Sequence, residues 1–322
     1  MPETIPHISL ATLNRIARID EFKGRWESQG RLVANRLKAL QRIAGMEAVA
    51  AAARMRGIRC SDRQIGEFLN GLNGANYLSR EEEDLLSGFH RVSKLVNDSY
   101  AQIAFSESHV GQMHGLLTNN GKPTGARDPA TREKLSGLLE QVNELLGEGR
   151  LHPLLIISNF SRCFWHLRPF QHGNNRLTWL LSKLLLLRGG YCFMTCGAIE
   201  HFLEKRLADY QRTLPATAGE VGNFAPQAWL DLFLDALGEL QENIAAKIDR
   251  EKQLLKISGP RLEIIRVIQD NGQSTMAQLV TTTNMNRNTL KVRLRALVAA
   301  KHLVQRGCGK ATYYLLPDPL RP

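Results

Sequence analysis

The stretch Arg168-Pro169-Phe170-Gln171-His172-Gly173-Asn174-Asn175-Arg176 decides how the rest of this chain is read. It stands between two apolar segments, residues 153–165 and the leucine-rich run 177–188, both patterned as helices. Gly and Asn ahead of a helix N-terminus leave backbone amides exposed, and Arg176 adds a guanidinium. Gly173, Asn174 and Arg176 are therefore a candidate anion or nucleotide site. A tight turn between two helices calls for the same residue types, so the loop alone does not choose between the two.

Outward from that loop the chain is almost wholly helical in pattern. Apolar positions at three- and four-residue spacing, such as Leu32, Leu37, Leu40 and Ile43, predict helix through residues 13–53. Ser61-Asp62 opens another over 61–72, followed by a turn at 71–76. Further helices are predicted over 81–104, 106–117, 131–146, 198–214 and 226–254, with an exposed loop at 119–129. The run 177–187 is about half the length of a membrane span and contains Lys183, so it reads as a buried helix.

Composition narrows the class. The hydrophobic fraction of 43% and charged fraction of 23% describe a globular chain rather than a disordered one. Its 322 residues suffice for two or three domains with cores of their own. Cys60, Cys163, Cys192, Cys196 and Cys308 are odd in number and lack paired metal-ligand spacing, which fits a reducing compartment and calls for no metal or other cofactor. Residues 1–10 lack a basic segment followed by an apolar core, so the expected location is the cytoplasm, with no membrane partner.

The net charge of +11 favours a polyanionic partner, and its distribution is more telling than its size. Between Asn271 and Pro317 there is no Asp or Glu against seven Lys and Arg. Ser258-Gly259-Pro260 punctuates the chain just before this block. Ile264, Ile265, Val267 and Ile268 pattern a first helix, Ser274 is the expected cap of a second, and a third spans 287–300. Two short strands, at Leu303-Val304 and 313–316, flank a turn at 306–310. Three helices and a hairpin follow the winged helix-turn-helix plan, whose third helix enters the major groove of duplex DNA. On that plan Arg287, Asn288, Lys291 and Arg293 are the candidate groove residues, and Arg306 and Lys310 the wing contacts to phosphate.

The central stretch resembles the signature of the Fic family, His-x-Phe-x-acid-Gly-Asn-Gly-Arg-x-x-Arg. The resemblance extends to the helix carrying His114, the Leu-rich run ending Arg188-Gly189-Gly190-Tyr191, the segment 204–210 and the segment 229–234. It implies an all-helical body and the transfer of a nucleotide monophosphate, usually AMP, to a protein hydroxyl. Four signature positions depart from the pattern. Arg168 stands where the family has its base, and a guanidinium stays protonated. His172 replaces the acid that holds magnesium, and an imidazole suits a hard, oxygen-preferring cation poorly. Asn175 replaces the second Gly and Trp179 the final Arg. The family's inhibitory Ser/Thr-x-x-x-Glu-Gly motif corresponds to Ala52-Ala53-Arg54-Met55-Arg56-Gly57, with Ala52 for the hydroxyl and Arg56 for the Glu. His166 and His172 are the bases that stand nearest the lost one.

These readings converge on a mainly α chain: an all-helical Fic-like body with a C-terminal winged helix-turn-helix carrying a small β-hairpin. The expected divisions are 1–95, an N-terminal helical region; 96–257, a degenerate Fic-like domain; and 258–322, the DNA-binding module. The expected function is a bacterial DNA-binding transcription regulator, catalytically inactive and a homodimer on paired half-sites. A nucleotide or protein is a further candidate ligand. The competing reading is a protein nucleotidyltransferase of altered chemistry, brought to its target by the winged helix.

Overall fold

The computed structural model describes residues 8–28, 34–71, 77–118, 121–122, 124–213, 226–255, 259–309 and 312–317. Parts of the expected turn after Asn70 and of the loop from Asn119, the Ser258 boundary and Lys310 lie outside them. The described residues form two compact units, divided between Ile244 and Ala245. Position 95, at which the sequence reading separates an N-terminal region from the body, lies within a continuous helix of the first unit.

The first unit is built around α7 (Pro153–Leu167) and α8 (Asn174–Arg188), which pack on one another. Every residue of α8 from Leu177 to Leu187 is buried, and the hydroxyls of Thr178 and Ser182 are satisfied within the helix by the Asn174 and Thr178 carbonyls. Around it stand α4 (Arg80–Ser99), α5 (Glu107–Leu117) and a 3-10 turn at Cys192–Cys196; α6 (Pro129–Glu148) backs α7. At roughly 1.5–3 kcal/mol for each fully buried large aliphatic side chain, the Leu180, Leu181, Leu184 and Leu185 positions make α8 a principal source of stability.

Local chemistry starts and stops these helices. Asp128 caps α6, accepting from the Thr131 amide at 2.8 Å, and Gly149 ends it with φ 67°. Ser79 and Glu82 form a capping box at α4. Two outer helices, α1 (Leu10–Ser28) and α2 (Ala34–Met55), complete the N-terminal side with α3 (Asp62–Leu69). Asp20 ties α1 to the body, accepting from Tyr191 Oη at 2.8 Å and meeting His152 Nε2 at 2.7 Å. Arg54 grips both carboxylate oxygens of Glu204 and also Asp62 at 2.7 Å, joining α2 and α3 to α9 (Ile199–Lys205). The predicted helix over 198–214 is broken at Arg206 into α9 and α10 (Leu207–Arg212). The long α11 (Pro226–Leu255) follows. Among the described residues no helix is long and apolar enough to cross a membrane.

The second unit carries α12 (Pro260–Asn271), β1 (Gln273–Thr275), α13 (Met276–Thr283), α14 (Arg287–Ala299), β2 (Val304–Arg306) and β3 (Tyr313–Leu315). Its core gathers Ile264, Ile265 and Ile268 with Leu279, Leu290, Leu294 and Leu297. The expected hairpin is there, and β3 also pairs antiparallel with β1, giving the strand order β1-β3-β2. That pairing corrects the expected cap: Ser274 is fully buried in β1 opposite Tyr314, and Thr275 caps α13 instead, in a capping box with Gln278. A three-residue strand has too little alternation to show in a sequence.

Close approach of backbones sets two glycines apart, Gly88 and Gly111, a Cβ on Gly111 standing 2.5 Å from the Thr124 carbonyl oxygen. A Cβ on Gly88 of α4 would stand 2.4 Å from the Leu117 carbonyl oxygen, whereas one on the exposed Gly137 of α6 would meet nothing within 4 Å. Gly88→Ala is therefore expected to destabilise the protein by about 1–3 kcal/mol. Gly137→Ala should stabilise it by about 0.5–1 kcal/mol, the ordinary helix preference. Urea denaturation of the two variants checks the opposite signs.

Candidate functional site

The loop between α7 and α8 forms one wall of a cavity of about 940 Å³ in the first unit. Its geometry begins with Arg168, which ends α7 in the left-handed region at φ 45°. The Arg168 guanidinium lies 4.4 Å from the centre of the Trp165 ring, a cation on an aromatic face. Asn174 then clasps the turn from within: Phe170 N donates to its Oδ1 at 3.0 Å and its Nδ2 donates to Phe170 O at 2.6 Å. The Arg127 amide fixes the other side, donating to Pro169 O at 2.8 Å.

His114 anchors the turn from α5. Its ring stacks on Phe170 with centroids 3.9 Å apart and planes 9° from parallel. Nε2 lies 2.8 Å from the His172 carbonyl and Nδ1 2.5 Å from the Thr124 hydroxyl. A carbonyl only accepts, so Nε2 carries the proton and Nδ1 accepts from Thr124. Burial pushes the His114 imidazole below its ordinary value, against a smaller upward pull from the His172 carbonyl. Gly173 takes φ 77°, in the left-handed region that favours glycine, and a Cβ there would stand at ordinary contact distance, 3.4 Å from Leu117 and 3.5 Å from His114 Nε2.

All the signature positions singled out in the sequence face this cavity: Arg168, His172, Gly173, Asn174, Asn175, Arg176 and Trp179. Ala52 and Arg56 of the segment 52–57 line it too, which brings the N-terminal stretch to the signature loop. Arg176 donates to the Leu85 carbonyl at 3.2 Å. Burial, with Arg56 adding repulsion, pushes its guanidinium down to about 10. His166 is not among the lining residues, and His172 is exposed at the rim.

The departures at 175 and 179 form one structure. Trp179 Nε1 donates to Tyr210 Oη at 3.2 Å, and the Tyr210 hydroxyl donates to Asn175 Oδ1. Trp179 is 3% exposed and stacks on Trp229 at 5.7 Å between centroids, 16° from parallel. Sequence reasoning missed Tyr210, and missed Arg80, Glu81 and Asp84 of α4 and Glu200 of α9, which complete the lining. Ser79-x-x-Glu82 announces where α4 begins, but not that its first turn faces the loop 168–176. Glu200 is buried with Lys183; burial pushes the carboxyl up and the ammonium down, each opposed by the charge of the other. Among the described residues no cluster of His, Cys, Asp and Glu is placed to hold a metal ion.

In the second unit Arg287, Asn288, Lys291 and Arg306 are exposed, as a nucleic-acid contact requires. Arg293 differs: it is half-buried, with Nη1 3.1 Å from Met285 Sδ.

Solved structures of three proteins share this architecture. A Fic family protein from Desulfovibrio desulfuricans G20 matches 99% of this chain and 100% of its own, with a TM-score of 0.64 and 17% identity. Fic-1 from C. elegans matches 74% of this chain and 73% of its own, with a TM-score of 0.60 and 15% identity. For Fic-1 those coverage shares become 76% and 74%, with 16% identity, in a second structure. A Fic domain containing signaling protein from Bacteroides thetaiotaomicron VPI-5482 matches 70% of this chain and 95% of its own, with a TM-score of 0.53 and 13% identity. No family model matches the chain, and no curated protein matches it. The likeness is therefore one of fold: this chain has the architecture of Fic family proteins.

Two consequences of the geometry can be measured. His114 is held neutral in the fold, whereas in the unfolded chain it takes a proton near pH 6.5. Its contribution is thus complete above about pH 6.5 and is lost as pH falls toward the lower folded value. His90, His166 and His201 are pushed the same way, so urea midpoints should fall steeply from pH 7.5 to 5.5, and less steeply in His114→Gln. Tyr210→Phe strips Trp179 of its acceptor and should cost about 1–3 kcal/mol, with a shifted tryptophan emission.

Proposed function

We propose that this chain is a DNA-binding transcription regulator whose Fic-fold body has given up nucleotide transfer. The observation that carries the reading is the exposed basic surface of α14 in a unit that has no acidic residue from Asn271 to Pro317. Three helices with a β1-β3-β2 sheet agree with a winged helix-turn-helix, in which α14 takes the groove and the β2–β3 turn reaches the backbone. A face meant for a charge-mixed protein partner would carry both signs; a face meant for phosphates carries one.

Loss of transfer is supported by what occupies the reacting corner. Arg168 cannot take a proton from a hydroxyl, and it is turned onto Trp165. The magnesium position is His172, and the final clamp is the buried Trp179. The cavity keeps Gly173, Asn174 and Arg176 beside Arg56, so an anionic ligand bound there without turnover is the proposed switch. Paired half-sites and a homodimer belong to the same proposal.

Genomic fragments captured by the purified protein at about physiological salt test the reading. One or a few loci should be enriched by the wild type and lost in Arg287→Ala/Lys291→Ala, and the salt dependence of the residual binding should flatten by about one unit of slope for each phosphate contact removed. No transfer of labelled nucleotide to the chain or to a cell extract should be seen. Equal capture by both proteins, or robust transfer, would overturn it.

A further inference from the structure

We infer that α14 reads the C5-methyl group of a thymine through Val292, in a polar setting supplied by Asn288, Lys291 and Arg295, with Arg293 outside the reading face. The inference rests on the DNA-binding function proposed above and says which side chains give it sequence selectivity.

The helix's own geometry separates the faces. At 3.6 residues per turn each residue is rotated by about 100° from the last. Leu290, Leu294 and Leu297 are buried and define the inward side. Asn288, Val292 and Arg295 follow one another at steps of four and three on the opposite side, and Lys291 lies beside them; all four are exposed. Arg293 is turned by about 100° from Val292 and by roughly 160° from Arg295. Its half-buried guanidinium against Met285 Sδ agrees with that placement. Arg295 therefore takes the place in the groove that charge counting alone gives to Arg293.

Val292 is 67% exposed, the one large apolar side chain among Asn288, Lys291 and Arg295, with the small Ala296 and Ala299 farther along the same face. A single surface valine is ordinary in itself. Its position is not: it occupies the outward centre of a basic helix, where a β-branched residue is a weak helix former and long charged side chains would serve both helix and phosphates better. Valine offers no hydrogen bond, so what it adds in a groove is contact with an apolar group. Among the base edges displayed in the major groove, the thymine methyl is that group. The branched side chain has few rotamers to lose, and the Asn288 amide and Arg295 guanidinium on either side can pair with the edges of neighbouring bases.

The experiment uses the full chain and the DNA it selects from a random duplex library. Each thymine of the recovered site is replaced singly by deoxyuridine, which removes the methyl and nothing else. At one position in each half-site the wild type should lose about fourfold in affinity, what one buried methyl contributes. Val292→Ala, which keeps the helix, should bind both duplexes equally. Arg295→Ala should relax the selected sequence, whereas Arg293→Ala should select the same sequence as the wild type. A recovered site indifferent to deoxyuridine throughout, or one to which Val292→Ala responds as the wild type does, overturns the inference and leaves the DNA-binding function standing. If no sequence is selected at all, both fall.

Discussion

The imidazole of His114 is where the first unit's cavity is set. Three stretches of chain meet at this one ring: α5, which carries it, Thr124 beyond that helix, and the turn ahead of α8. A neutral ring can satisfy a hydroxyl on one nitrogen and a carbonyl on the other while its face covers Phe170. A protonated ring would have two donors and a hydroxyl obliged to turn away. Burial keeps it neutral, and neutrality keeps the turn in register. Gly173 then suits the turn for its positive φ, in the left-handed region that favours glycine. Where α8 begins, and so where Arg176 and Trp179 point, follows from that turn.

Much of the fold was legible because its signals are local. Ser61, Ser79, Asp128 and Asn286 are cap residues that announce helix starts, and Gly149 and Gly189 mark ends. The burial of α8 could be read from its leucine run, though not that Thr178, Ser182 and Lys183 are buried with it. What stayed hidden is non-local. Ser274 carries a plausible capping hydroxyl, and only the pairing of β1 with β3 moves the cap to Thr275. The break between α9 and α10 at Arg206 has no proline or glycine to betray it; Arg206 is drawn instead to Glu239 and Asp235 of α11.

The candidate site divides along the same line. The residues of the loop 168–176 were visible as a contiguous pattern, and the structure gathers all but Pro169 and Phe170 in the lining of one cavity with Ala52 and Arg56. Arg80, Glu81, Asp84 and Glu200 carry no pattern of their own, because what they share is a place in space and not a spacing. Arg293 is half-buried against Met285 Sδ, which a count of charges does not show. Among the cationic side chains on α14 the sequence assigns charge, and the angle around the helix decides which charge faces outward.

The hydrogen-bonded chain from Trp179 through Tyr210 to Asn175 bears on how firmly the site's departures are built in. The Tyr210 ring is 2% exposed, so its hydroxyl must find partners within the protein. Asn175 supplies the acceptor and Trp179 the donor. A glycine at 175 alone would leave a buried hydroxyl without an acceptor. An arginine at 179 alone would forfeit the stack on Trp229 together with the indole N–H. Neither position can change singly without a penalty at the other, since both bond to the Tyr210 hydroxyl. The departures at 168 and 56 are of a different kind, exchanging one surface charge for another around an open cavity. Trp179 is therefore core packing, tied through Tyr210 to the exposed Asn175, and an arginine at 179 would require the surroundings of Tyr210 to be rebuilt.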